Sequence, residues 1–378
     1  MKNRYILIVN AGSATLKMAV FTFDLKQIIS AQVEKIGEAK SIIMVNHKGK
    51  VQSLEMKASN HSNAFKYILN LIDLDIVNNI YMVGHRVVHG GTYYSKPVKI
   101  DKSVIENIKN LFDIAPLHNP KNLDGILIAQ KLLSHCIHYA IFDTAFHHTI
   151  PDYAYMYSIS KEISSKYAIR KYGFHGTSHQ YCLQEVSRKL NKPIDSLNII
   201  TIHLGNGASI TAIKDGKSVD TSMGFTPLEG LTMGTRSGDL DPGIIFYLLN
   251  KGINYKKLYN ILNNESGIKG LFGSQDMRDV LITAGYTIKG YSKPTGVKGT
   301  KKEALLTLNI FVYDILRYIH SYMGLLKNID AITFTGGIGE RNADIRKLIL
   351  RDSNYKGKVF VIPANEELMM ARLITNKK

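Results

Sequence analysis

The chain carries one local pattern twice, about half its length apart. Tyr5 to Val9 is a run of apolar, β-favouring residues that meets a small polar turn, Asn10-Ala11-Gly12-Ser13, and resumes as a strand-like Leu16 to Phe21. Asn198 to Leu204 repeats the run, Gly205-Asn206-Gly207 repeats the turn, and Ala208 to Ile213 repeats the returning strand, with Asp215-Gly216 as a further hairpin signal. A repeated strand–turn–strand predicts a duplicated domain, each copy presenting backbone N–H groups at its hairpin tip. The 378 residues accommodate two domains, taking ~150 residues for each. Helical patterns follow each copy. The clearest joins Leu308, Phe311, Val312, Ile315, Ile319, Tyr322 and Met323, spaced three and four apart as one buried face requires. Ala331 to Thr335 then reads as a short strand, Gly336-Gly337-Ile338-Gly339 as a turn, and a polar-faced helix is expected to open near Glu340. Strands mixed with crossover helices in both halves predict an α/β architecture.

Composition narrows the class of protein. With 45% hydrophobic and 21% charged residues, the chain reads as an ordinary globular enzyme and not as a disordered one. Its two cysteines, Cys136 and Cys182, lie far apart and outside any Cys-x-x-Cys pattern, which argues against a disulfide scaffold or a zinc site and for a reducing cytoplasm. No apolar stretch approaches the ~18 residues of a membrane helix, and the run after Arg4 is too short for a secretory signal. The net charge of +17 comes from scattered lysines without a nucleic-acid motif, so neither nucleic acid nor membrane is expected as a partner, whereas anionic small molecules are.

Three glycine-bearing turns read as a nucleotide site. The first, Asn10 to Lys17, offers an amide, the hydroxyls of Ser13 and Thr15, and a lysine charge suited to phosphate. The second is His203-Leu204-Gly205-Asn206-Gly207-Ala208-Ser209. The third is Gly336-Gly337-Ile338-Gly339-Glu340, between a strand and a helix, where backbone can lie against a nucleotide. Each alone is an ordinary polar turn; together, in two related halves, they suit phosphate gripped from both sides. A P-loop is excluded, because Thr211 stands where Gly216-Lys217-Ser218 would need its first glycine. Further loops dense in glycine, histidine and arginine lack hydrophobic periodicity, so packing does not explain them. They are Gly84 to Gly91, Pro116 to Pro120, Phe142 to His147, Tyr172 to His179 and Asp220 to Asp239.

These segments, in this order and through Asn365-Glu366-Glu367-Leu368, resemble the signature set of the acetate kinase family over nearly the whole chain. The resemblance implies duplicated actin-like (ribonuclease H-like) α/β domains, each a mixed sheet flanked by helices, with an interdomain active-site cleft. The domains are expected at 1–148, with 367–378 packing back on it, and at 149–366. The implied reaction is in-line phosphoryl transfer from ATP to the carboxylate of acetate, giving acetyl phosphate and ADP, with Mg²⁺ or Mn²⁺ in its place. A cytoplasmic homodimer is implied as well.

By the same resemblance Asn10 and Glu366 are linked to the metal, and Lys17 to phosphate, with Ser13 and Thr15 beside it. His203 to Gly207, Asp276, Met277, Arg278 and Gly336 to Glu340 hold the nucleotide. The acid pocket is Arg86 with Val88, Leu117, Phe174 and Pro227, and His118 is another site position. Arg86, Arg236 and His175 stabilise the transition state, and Asp143 is the acid/base. Chemistry supports the cations, since two anions must be brought together. It supports the acid/base role less, because a carboxylic acid of pKa ~4 is already ionised at neutral pH; Asp143 then reads as orienting the metal or its waters. Lone His179 and His89 read as structural hydrogen-bonders. Valine at position 88 favours acetate over propionate, one methylene being worth ~1–3 kcal/mol. A propionate kinase is the alternative within the class, and a non-catalytic actin-like ATPase module the alternative outside it. The latter has no reason to keep Arg86, Pro116 to Pro120 or Phe174-His175.

Overall fold

A computed structural model of the protein describes residues 4–47 and 49–375. They form two compact units, one of residues up to Phe146 together with those from Asn365 onward, the other His147–Ala364.

The first unit is built on strands β1 (Tyr5–Ala11), β2 (Thr15–Thr22), β3 (Gln27–Glu34), β4 (Ser41–His47), β5 (Lys50–Met56), β6 (Ile80–Val87), β7 (Val98–Lys99) and β8 (Ile137–Phe142). They lie in one sheet in the order β5-β4-β3-β2-β1-β6-β8-β7. β1 to β5 form an antiparallel meander, while β6 pairs parallel with β1 and β8 parallel with β6. β1 is apolar at consecutive positions because both its faces are covered. Tyr5, Leu7, Val9 and Ala11 share a core with Phe65 and Ile68 of the helix His61–Asn70 and Ala129 of the helix Asn119–Leu132. Ile6 and Ile8 point the other way, onto Met370, Ala371 and Ile374 of the C-terminal helix Glu366–Thr375.

The second unit holds β9 (Ile199–Leu204), β10 (Ala208–Lys214), β11 (Lys217–Thr221), β12 (Ala331–Thr335) and β13 (Lys358–Val361), in the order β11-β10-β9-β12-β13. β9 and β10 are antiparallel, as are β10 and β11; β12 is parallel to both β9 and β13. Strand for strand this is β3-β2-β1-β6-β8 of the first unit, so the repeated sequence pattern is a repeated fold: two mixed sheets flanked by helices, as in actin-like domains.

The helix Lys301–Leu326 begins with a capping box. Thr300 Oγ1 accepts from Glu303 N at 3.2 Å and Glu303 Oε2 accepts from Thr300 N at 2.7 Å. It buries Leu308, Phe311, Val312, Ile315, Ile319 and Tyr322; Met323, expected on that face, is half-buried. One boundary differs from expectation. The helix after β12 is Gly336–Arg341, so the glycines are its first turn and not a loop ahead of a helix near Glu340. Gly336 has φ +78°, and a Cβ there would stand 2.7 Å from the carbonyl oxygen of Leu204. Only glycine lets the chain pass from strand into helix so close to β9.

The C-terminal helix rests on the sheet through few side chains, and Met370 is fully buried among them. Met370→Ala is therefore expected to cost ~2–5 kcal/mol, read as a lower urea midpoint with unchanged slope. A loss below ~1 kcal/mol would mean that this helix is not packed as described.

Candidate active site

In the first unit the functional side chains stand where β1, β6 and β8 end, the edge at which parallel strands present ligand sites. Asn10 ends β1 and lies opposite Lys17 of β2. The turn between them is closed by Gly12 N donating to Thr15 O at 2.9 Å, with Ser13 and Lys17 exposed. Asn122 ties this end to the next strand, its Nδ2 donating to Ala11 O at 2.8 Å and its Oδ1 accepting from Val88 N at 3.0 Å. Asn119 likewise clamps His89 by N and O, both at 3.0 Å. Val88 and His118 are half-buried, and Leu117 is 43% exposed.

Arg86, on β6, is the centre of this edge. Its Nε donates to Asp143 Oδ1 at 3.0 Å and its Nη2 to Asp143 Oδ2 at 2.7 Å, while Nη1 lies 3.2 Å from Glu366 Oε2. Burial works against the charge, but the two carboxylates outweigh it, and the guanidinium is held more firmly protonated than usual. The expected fork onto a substrate carboxylate is thus already occupied by Asp143. Asp143 is buried and anchored by its N–H to Val87 O at 3.0 Å. One guanidinium thereby draws two carboxylates together.

The second unit repeats the geometry with a different charge pattern. The β9–β10 turn is closed by Gly205 N donating to Gly207 O at 2.9 Å. A Cβ at Gly207 would meet Arg236 Nη2 at 2.7 Å and His175 Nε2 at 3.3 Å, so the arginine and histidine converge on this bare backbone. Arg236 is half-buried and donates Nη1 to Pro227 O at 2.6 Å; among the described residues it makes no ion pair. Burial pushes its pKa down to about 10, which leaves it charged at neutral pH. His175 takes left-handed backbone angles, φ 55° and ψ 25°, ahead of the helix Gly176–Leu190, and stacks on His203 at 4.3 Å between ring centroids. Such a conformation is costly for a non-glycine residue and is seen mostly where function holds it.

The loop that carries Pro227 and Arg236 is held by polar staples. Tyr157 Oη donates to Glu229 and accepts from Phe225 N; Gly230 N donates to Asp239 Oδ1 at 2.8 Å, and Tyr318 Oη to Asp239 Oδ2 at 2.9 Å. Burial, aided by nearby Asp239 and Asp220 and opposed by the hydrogen bond from Tyr157 and the charge of Lys171, raises the Glu229 pKa. Phe174 is fully buried.

The third turn meets the second through Gly336 against Leu204 and through the pairing of Thr335 with His203. Gly337 has open space at its Cα, and Glu340 Oε1 accepts from Ala364 N at 2.7 Å. Asp276, Met277 and Arg278 form a separate group. Asp276 caps the helix Met277–Ala284 and pairs with Arg278 at 2.6 Å, and Arg278 lies 4.1 Å over the Tyr291 ring. No hydrogen bond joins this group to the turn at Gly207 among the described residues, and the Met277 side chain is buried. Sequence reasoning includes Ser209 at the end of the second turn motif but passed over Thr201, whose signal was a hydroxyl inside an otherwise apolar strand.

Comparison with known proteins identifies the family. The profile of the acetokinase family matches residues 5–358. An acetate kinase of Thermoanaerobacterium thermosaccharolyticum is 42% identical, with 97% of each chain covered. One of Clostridium novyi is also 42% identical, over 97% of this chain and 96% of that one. Among solved structures, a propionate kinase of Francisella tularensis has TM-score 0.89 at 37% identity, covering 99% of this chain and 100% of that one. An acetate kinase of Porphyromonas gingivalis has TM-score 0.86 at 33% identity, covering 98% and 99%. A match of this extent, over both duplicated domains, means that the chain belongs to the acetokinase family.

Proposed function

We propose that this protein transfers the γ-phosphoryl group of ATP reversibly to the carboxylate of acetate, giving acetyl phosphate and ADP. A carboxylate oxygen bonds to the γ-phosphorus as the bond to the bridging oxygen of ADP breaks, and no proton changes hands. The observation that carries the reading is Arg236, a half-buried cation with no carboxylate partner among the described residues, converging with His175 on the Gly207 turn. Such a group suits the equatorial oxygens of a phosphoryl in transfer. The turns at Gly205–Gly207 and Gly336–Glu340, with Lys17 and the first hairpin, supply backbone and lysine donors for the nucleotide. Val88 and Leu117 in one unit, and Pro227 in the other, each offer apolar surface that suits a short acid, whereas Phe174 is fully buried.

A divalent cation, Mg²⁺ by preference, fits the first unit. Such a cation takes oxygen ligands and needs only one or two carboxylates, its remaining positions being water and phosphate. Asn10, Asp143 and Glu366 are oxygen donors, and Arg86 already draws the two carboxylates together. When bound, the metal neutralises phosphate charge. Asp143, held in place by Arg86, would orient the metal or its waters and does not act as a base.

Hydroxylamine trapping of an acyl phosphate from ATP and acetate tests the activity, and its absence with active nucleotide binding would overturn the reading. Arg236→Ala and Arg86→Ala are each expected to lower kcat by ~10²-fold or more while circular dichroism stays native. Unchanged turnover in either would remove that residue from the reaction. Val88→Ala should shift the kcat/KM ratio toward propionate by roughly tenfold, and a ratio that does not move would take Val88 out of the acid pocket.

The helix Pro242–Asn250 buries none of its residues, and Phe246 and Tyr247 are 65% and 60% exposed beside Ile244 and Leu249. A patch of this kind is a mark of an interface, and we assign it to a second copy of the chain, acting in the cytoplasm. Phe246→Asp should convert a dimer to a monomer in sedimentation velocity. A wild type that is already monomeric at micromolar concentration would overturn the assignment.

A further inference from the structure

His175 is linked to a chain of buried side chains that the reaction itself does not use. Its Nδ1 lies 2.9 Å from Ser209 Oγ; Ser209 Oγ lies 2.8 Å from His179 Nε2; His179 Nδ1 lies 2.7 Å from Thr201 Oγ1. Ser209, His179 and Thr201 have no exposed surface. All sit on the β9–β10 hairpin or on the helix Gly176–Leu190, so the chain is a property of the second unit alone.

The direction of these bonds follows from counting protons. Burial, with His147 and His203 nearby, holds the His179 pKa well below the usual imidazole range, so His179 is neutral and carries one N–H. Ser209 has one hydroxyl proton for two imidazole neighbours. Only two orders satisfy these limits, and Thr201 chooses between them. Among the described residues, the one hydrogen-bond partner of its hydroxyl is His179 Nδ1. If His179 donated there, the Thr201 proton would be buried without an acceptor, at the cost of an unmade bond. Thr201 therefore donates to His179 Nδ1, His179 Nε2–H donates to Ser209, and Ser209 donates to His175 Nδ1.

We propose that Ser209 and His179 are positioning residues that hold neutral His175 with its proton on Nε2, the nitrogen facing the Gly207 turn beside Arg236. The proposal rests on the reading of His175 as a donor to the transferring phosphoryl, and it deepens that reading. An imidazole whose other nitrogen were protonated would present a lone pair to an anion and repel it. The chain thus does for His175 what a carboxylate does in many histidine sites, without adding a negative charge next to ATP.

The test has two arms. The tautomer is read by nitrogen NMR of the ¹⁵N-histidine-labelled free enzyme, and turnover is read with ATP and acetate. Wild type should show His175 as the Nε2–H form. Ser209→Ala and Thr201→Val should each yield a mixture of tautomers and a kcat about tenfold lower or more, with KM for both substrates within about twofold. Ser209→Thr, which keeps the hydroxyl, should restore both. Thr201→Val is nearly isosteric and decides the matter if Ser209→Ala does not fold. A wild type with the proton on Nδ1, a kcat loss without a tautomer change, or a tautomer change without a kcat loss would each overturn the proposal. Failure of the functional reading looks different: wild type then makes no acyl phosphate, while the tautomer arm still reports.

Discussion

In each unit two later strands, β6 and β8 or β12 and β13, run parallel to the first strand of the hairpin, and this brings three C-terminal strand ends to one edge of the sheet. Parallel strands need crossover connections, and the crossovers cover both faces of the sheet. That double burial makes β1 and β9 mostly apolar, and the polar residues that can face a ligand gather at the strand ends and the turns beyond them. Asn10, Arg86 and Asp143 in one unit, and His203, the Gly207 turn and Gly336 in the other, occupy equivalent edges because one topology is used twice.

The two edges differ in charge, and the difference sorts their chemistry. At the first, one guanidinium serves two carboxylates, so the cluster carries net negative charge and suits a divalent cation. At the second, a guanidinium has no carboxylate among the described residues and suits an oxyanion. Removing Arg86 would leave two acids facing each other, whereas removing Arg236 would leave a neutral pocket. The expected losses of activity are similar, but the first change also brings like charges together without compensation.

Holding a partly desolvated cation and a histidine with left-handed backbone in place requires a stiff surround. The protein supplies it with hydrogen bonds and not with apolar packing alone. Tyr157 on Glu229, Asp239 on Gly230 and Tyr318 on Asp239 fasten the loop that carries Arg236. Asn119 and Asn122 do the same for the loop after β6. All but the bond within the loop between Gly230 and Asp239 join segments 30 or more residues apart, so the edges are preorganised largely by the fold.

Taken by itself, the sequence determined the duplicated strand–turn–strand, the helical face running from Leu308 to Met323, and the glycine-bearing turns. These follow from period, propensity and steric permission, which act over a few residues. Most of the site residues were legible too, because loops dense in glycine, histidine and arginine have no packing reason to exist. Only the tertiary structure decided who pairs with whom. Arg86 meets a carboxylate 57 positions away and another at the C-terminal helix. The Met277 side chain turns inward, although it stands between a half-buried aspartate and an exposed arginine that pair with each other. His179, which reads as a structural histidine, lies on a hydrogen-bonded line to His175 through a serine on the next strand. A hydrogen bond acts over about 3 Å, and which residues come that close is set by strand order and helix docking, which local pattern does not encode.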